Sequence, residues 1–167
     1  MSATFMESDS LQMVVFRLED EEFGVPIQFI KEIIRRPDIT HLPNTPGFIL
    51  GVINLRGEII PIISLHTKFQ MGNDPLDDTK VVIVEVGDVT VGMQVNDVNE
   101  VLTLSGGQLS KPPAMASDIR SDFIAGVGKL DERLMIILDV ENVLSDEEHS
   151  IMRSITEEHE AVAQPVA

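Results

Sequence analysis

Phe48-Ile49-Leu50-Gly51-Val52-Ile53-Asn54-Leu55-Arg56-Gly57-Glu58-Ile59-Ile60-Pro61-Ile62-Ile63 reads as two short apolar strands around a tight turn. Gly57 supplies the positive φ that such a hairpin needs. The stretch returns later in the chain with a shift of 75 residues. Phe123-Ile124 stands for Phe48-Ile49, Gly126-Val127 for Gly51-Val52, Leu130 for Leu55 and Ile137 for Ile62. Upstream, Val14–Ile34 overlays Val82–Leu102 with a shift of 68 residues, which puts Gly24 on Gly92 and Glu32 on Glu100. Ile27, Ile30 and Ile33 then meet Val95, Val98 and Val101. The difference between the two shifts falls in the Ser/Gly/Pro-rich stretch 105–121, where a loop absorbs an insertion at little cost. Matching Gly, Phe-Ile-x-Gly-Val and Glu in one order across both halves is the mark of an internal duplication.

The rest of the chain agrees with a mainly β fold. Met13–Leu18, Gly51–Leu55, Ile59–Leu65, Val81–Val86, Val89–Val95, Val98–Leu104 and Leu134–Leu138 are short β-branched runs. Turn signals such as Asn73-Asp74-Pro75, Gly87-Asp88 and Ser105-Gly106-Gly107 separate them. Two copies of about 65–70 residues are each marginal alone, so two small barrels sharing an apolar seam are expected. Glycines 24, 51, 92 and 126 mark bends or close approaches within strands. The spacing of Ile27, Ile30, Ile33 and Ile34 predicts one or two turns of helix. Ser145-Asp146-Glu147-Glu148 has the form of a capping box, and Ile151, Met152, Ile155 and Val162 form a thin stripe behind it. A C-terminal helix from about Asp146 to about Ala161 follows. The domain organisation is a flexible tail over 1–11, a duplicated body over 12–145 with copies at about 14–69 and 81–144, and an acidic helix and tail over 146–167.

Composition narrows the function. The 167 residues carry 28 acidic and 12 basic side chains, a net charge of −16, which argues against nucleic acid and anionic lipid as partners. No cysteine is present, so disulfides, thiolate nucleophiles and Cys-based metal sites are excluded. No targeting segment opens the chain and no apolar run is long enough to span a bilayer, so a soluble cytoplasmic protein is expected. The four histidines, at 41, 66, 149 and 159, form no ligand cluster and read as surface residues. Gly126-Val127-Gly128-Lys129 lacks the rest of a phosphate loop and reads as a strand. The acidic runs Asp20-Glu21-Glu22, Asp77-Asp78 and Asp146-Glu147-Glu148 read as solvated faces. No catalytic residue, metal site or cofactor is expected, and a binding module is what remains. A hydrolase with a facing carboxylate pair is the alternative from another class, and two inward carboxylates with raised pKa in one pocket would mark it.

The two copies differ at one turn. The first carries Asn54-Leu55-Arg56-Gly57-Glu58, the second Lys129-Leu130-Asp131-Glu132-Arg133. Glu132 cannot adopt positive φ cheaply, so the turns should differ in shape as well as charge. Arg56 stands out on an acidic body, and Glu32 is a partner for its fork.

Leu42-Pro43-Asn44-Thr45-Pro46-Gly47-Phe48 through Asn54-Leu55-Arg56-Gly57, followed by Ile60-Pro61-Ile62-Ile63, resembles the CheW family of bacterial chemotaxis coupling proteins. The resemblance runs through Phe23-Gly24-Val25, Glu32-Ile33, Val91-Gly92, Asp97-Val98 and Leu134–Leu144. It implies two intertwined five-stranded SH3-like barrels with short helices and a C-terminal helix. It also implies a non-enzymatic adaptor between methyl-accepting chemoreceptors, at their cytoplasmic tips, and the regulatory domain of the histidine kinase CheA. Such an adaptor would be cytoplasmic and recruited to receptor arrays at the inner face of the membrane. A CheW-like adaptor of another chemosensory pathway, for pili motility or development, is the alternative. By position, the resemblance implies receptor binding by Val14, Ile27, Ile30, Glu32, Arg56 and Val98. It implies kinase binding by Ile39, Leu42 and Arg56. Ser64-Leu65-His66 stands where many members have Asp-Leu-Arg, so the charge pairing of that motif must be replaced or missing.

Overall fold

The structure is a computed structural model, and it describes residues 10–71, 79–110 and 123–163, with side chains in the last helix described as far as Glu157. The turn expected at Asn73-Asp74-Pro75, most of the stretch 105–121, and the side chains of His159 and Val162 lie outside the described residues.

Eleven strands make up two sheets among the described residues. They are β1 (Ser10–Leu18), β2 (Glu21–Pro26), β3 (Ile30–Arg35), β4 (Ile49–Leu55), β5 (Glu58–Ser64), β6 (Lys80–Val86), β7 (Val89–Val95), β8 (Asp97–Ser105), β9 (Leu109–Ser110), β10 (Ile124–Leu130) and β11 (Arg133–Leu138). A short helix α1 (Leu65–Lys68) follows β5, and α2 (Asp146–Ala163) ends the described chain. One sheet has the order β8-β1-β2-β11-β10-β9 and the other β3-β6-β7-β5-β4.

Those orders display the duplication. Counting β1–β5 as one copy and β6–β8, β10 and β11 as the other, each sheet takes two strands from one copy and three from the other. The parallel seams repeat. Ile137 lies opposite Gly24 where β11 meets β2, and Ile62 lies opposite Gly92 where β5 meets β7. The irregularity between Ile49 and Gly51 recurs between Ile124 and Gly126. The Ser64 N–H donates to the Phe48 carbonyl at 2.7 Å, and the Asp139 N–H donates to the Phe123 carbonyl at 2.8 Å. Accordingly the two compact units are not the two sequence copies. One is Met1–Ile30 with Asn96–Val143, the other Lys31–Val95 with Leu144–Ala167. The strands are exchanged, which is the intertwining that the resemblance implies.

Each unit has its own apolar centre. In the first, Met13, Val15, Leu104, Leu109, Met135 and Ile137 pack together, and Phe16 stacks on Phe23 with ring centroids 5.8 Å apart. In the second, Ile53, Ile60, Ile62, Val81 and Ile83 pack together, with Ile34, Ile39 and Leu50 at the margin. Gly92 sits in this second centre because a methyl there would come within 2.6 Å of Ile62 Cδ1 and 2.7 Å of Val81 Cγ1. Gly24 is as close to the Met13 side chain.

Three expectations change. Residues Ile27–Ile34 are not a helix: a 3-10 turn over Ile27–Phe29 leads into β3. A lone turn or two of helix has a costly nucleus, whereas β-branched Ile30, Ile33 and Ile34 suit a strand that pairs with β6. Ser10 and Leu11, assigned to the tail, open β1 by pairing with Ser105 and Leu104, and the rest of that tail, 1–9, lies outside the described residues. His66 is not on the surface but fully buried, while His41 is exposed. The C-terminal helix docks through its apolar stripe, as expected, and packs on β5 and β7 of the second unit.

That helix forms as its sequence dictates. Ser145 Oγ accepts from the Glu148 N–H at 3.2 Å, and Glu148 Oε1 accepts from the Ser145 N–H at 2.9 Å, closing the capping box. Met152 and Ile155 of the stripe are buried.

Candidate protein-interaction site

The turn between β4 and β5 presents the residue that stood out in the sequence. Leu55 pairs with Glu58, leaving Arg56 and Gly57 as a two-residue loop. Both have positive φ, 53° and 90°, as a type I′ turn requires. Asn54 Oδ1 accepts the Gly57 N–H at 2.8 Å and steadies the turn. The left-handed backbone at Arg56 sends its side chain outward, where 70% of it is exposed. From there it donates to Glu32 Oε1 on β3. The expected pair therefore forms, with Glu32 placed by a strand rather than by a helix. Lys31 Nζ on β3 lies 3.9 Å from Glu58 Oε2 on β5.

Residues 36–48 connect β3 to β4 in the same unit. Thr40 exchanges two 2.9 Å backbone hydrogen bonds with Val52. Gly51 makes this approach possible: its φ is +148°, and a methyl there would strike the Thr40 carbonyl. Ile39 packs in part on the apolar centre, and Leu42 is buried, with Thr45 Oγ1 donating to its carbonyl at 3.2 Å. Ile39, Leu42, Glu32 and Arg56 thus share one unit.

Val14, Ile27, Ile30 and Val98 lie in the other unit. Val14, in β1 between Val25 and Val101, is only 2% exposed, so its side chain is core. Ile27 is 41% exposed, while Ile30 and Val98 are half-buried. Val101 and Leu134 in this unit are more open still, at 52% and 62%.

Sequence reasoning missed a second charged cluster. Arg133, at the start of β11, donates to Glu22 through Nε at 3.1 Å and through an Nη at 2.9 Å, and the same Nη reaches Glu100 at 2.9 Å. Asn99 Nδ2 donates to Glu22 at 2.9 Å. The hydrogen bond from Arg133 holds the Glu22 carboxyl below its ordinary range, against the effect of burial, and the charge of Arg133 and the bond from Asn99 add to it. The signal was present in the match of Glu100 to Glu32. It was hidden because the arginine sits two residues beyond the position equivalent to Arg56. The paired turn also differs as its sequence requires: Asp131 has φ of 55°, and Glu132 does not follow it into positive φ.

Ser64-Leu65-His66 has a structural role. Ser64 Oγ accepts the Thr67 N–H at 3.0 Å as the N-cap of α1, a task that Ser and Asp perform equally well. Among the described residues the buried polar side chains are Ser64, His66, Thr79 and Gln94, and no carboxylate is among them.

An outward arginine on a braced turn, a connecting segment pinned over an apolar centre and the exposed side chains of Ile27, Val101 and Leu134 are features suited to contacts with other proteins. They define a β-sheet interaction module. Residues 12–148 match the CheW-like domain family, and the chain belongs to that family. The chemotaxis protein CheW of Klebsiella aerogenes is 36% identical over 154 residues, covering 92% of this chain and 93% of the relative. That of Helicobacter pylori is 35% identical over 135 residues, covering 80% and 81%. The crystal structure of the scaffolding protein TtCheW from Thermoanaerobacter tengcongensis superposes with a TM-score of 0.75 at 34% identity, covering 81% of this chain and 92% of that one. Family, relatives and structural neighbour support one function, that of a chemotaxis coupling adaptor.

Proposed function

We propose that the protein is a non-enzymatic adaptor coupling methyl-accepting chemoreceptors, at their cytoplasmic tips, to the regulatory domain of the histidine kinase CheA. The observation that carries this reading is the match of residues 12–148 to the CheW-like domain. Receptor binding falls to Ile27, Ile30 and Val98 in one unit, where Val14 is buried, and to Glu32 and Arg56 in the other. The kinase side comprises Ile39, Leu42 and Arg56. Neither interface needs to be strong alone, because an array multiplies weak contacts by raising the effective concentration. The adaptor works in the cytoplasm, at receptor arrays on the inner face of the membrane. Among the described residues no helix is long and apolar enough to cross that membrane.

Co-sedimentation tests the reading. The full chain, a kinase regulatory fragment and a receptor signalling fragment from one organism are mixed and spun. Kinase that pellets only when both the chain and the receptor fragment are present supports coupling. Kinase that pellets equally without the chain overturns it.

A further inference from the structure

The first turn of α2 is fastened to a buried ammonium. Lys68 Nζ donates to Glu148 Oε1 at 2.6 Å, and only 6% of the lysine side chain is exposed. The same Nζ stands 4.2 Å from the centroid of the Phe48 ring. Phe48 is the last residue before β4 and is itself buried. A desolvated ammonium is stable only with compensating charge, and the Phe48 ring supplies a minor share beside the Glu148 carboxylate. Burial raises the Glu148 pKa, but pairing with Lys68 and bonding from Ser145 together outweigh it and hold the carboxyl below its ordinary range.

Phe48 closes the segment that carries Ile39 and Leu42. Upstream the segment is tied by the Thr40–Val52 bonds. Near its end the Ile49 N–H donates to the Pro46 carbonyl at 3.0 Å, and the Phe48 carbonyl is held by the Ser64 N–H. Downstream of Leu42, beyond the Thr45 bond to its carbonyl, the ring under Lys68 is therefore a side-chain tether at the end of the segment.

We propose that α2 sets the conformation of residues 41–48 through Lys68, so that the C-terminal helix is a positioning element for the kinase-facing segment. The link is Glu148 to Lys68, Lys68 to Phe48, and Phe48 to the Pro46–Ile49 turn. The functional half rests on the reading that Ile39 and Leu42 meet the kinase; the conformational half does not.

Amide exchange and affinity measured on the full chain test both halves. Glu148→Gln keeps the capping-box geometry, because Gln serves at that position, and removes the charge facing Lys68. The expected result is exchange about tenfold faster at the Ile49 and Ser64 amides. Affinity for the kinase regulatory fragment should fall by about fivefold or more while receptor affinity is unchanged. Asp88→Asn is the control. It loosens the other fastening of α2, where Asp88 accepts from Arg153 at 3.0 Å and meets His149 at 2.8 Å, and should leave Ile49 exchange as it was. If Glu148→Gln does not fold, Glu148→Asp, which draws the charge back by a methylene, should accelerate the same amides to a lesser degree. Unchanged exchange at Ile49 and Ser64 overturns the proposal. Faster exchange with unchanged kinase affinity overturns its functional half. A wild-type chain that ignores the kinase fragment overturns the coupling reading instead, and the exchange result still decides the link.

Discussion

Glu100 accepts a hydrogen bond from Arg133 in one unit, as Glu32 accepts one from Arg56 in the other. The duplication equates the two glutamates but not the two arginines. In the first copy the guanidinium comes from the turn, with a backbone that drives it outward. In the second it comes from the first residue of β11 and is shared between Glu100 and Glu22. The same pairing has become a structural brace in one unit and, in the other, an exposed cation with one carboxylate partner among the described residues.

Arg56→Ala should separate binding from stability. An exposed ion pair is worth about 1 kcal/mol or less, so the urea midpoint should hardly move. Affinity for the receptor signalling fragment should fall by about tenfold or more, as for a central arginine in an interface. Calorimetric titration of wild type and variant measures this, and unchanged receptor affinity removes Arg56 from that surface.

Arg133→Gln should act on acid stability instead. Because Arg133 holds the Glu22 carboxyl below its usual value, the folded state takes up a proton there less readily than the unfolded chain. That contribution is complete above the ordinary glutamate value of about 4.3 and fades as pH falls through the depressed one. With Arg133 a third exposed, its size is about 1 kcal/mol or less. Urea titrations between neutral pH and pH of about 3 should show a shallower acid loss in the variant. Identical slopes would mean that the unfolded chain preserves the pairing.

Gly92→Ala tests the seam of the second sheet. The added methyl meets Ile62 and Val81 inside a packed centre, and overpacking of this kind costs about 1–3 kcal/mol. Gly107→Ala, with nothing within 4 Å of the added methyl, should stay within about 0.5 kcal/mol of wild type. Equal stabilities for the two variants would show that the Ile62 side chain yields freely.

Much of this was legible because duplication constrains a sequence twice. Gly24 and Gly92, Ile62 and Ile137, and the Phe-Ile-x-Gly pairs announced themselves as matches, and each match is a repeated contact in the structure. The C-terminal helix was legible because its capping box is local chemistry. Ile27–Ile34 was misread because its apolar spacing fits a helix, and only pairing with the distant β6 makes it a strand. Burial of His66 depends on α1 turning its side chain inward after Ser64, which composition cannot show. Val14 is core for a similar reason: β1 is covered on both faces, so an alternating pattern never arises.

Ser145→Ala isolates the cap from the link that Glu148 makes to Phe48. The Ser145 hydroxyl accepts from the Glu148 N–H, so its loss should cost about 1 kcal/mol of helix stability. The Glu148 side chain still accepts from the Ser145 N–H, which alanine retains, and from Lys68. Exchange should therefore quicken at the Glu148 and His149 amides, the latter bonded to the Ser145 carbonyl at 2.8 Å, and stay slow at Ile49. Faster exchange at Ile49 in Ser145→Ala would mean that fraying of α2, rather than the charge on Glu148, governs the segment ahead of β4.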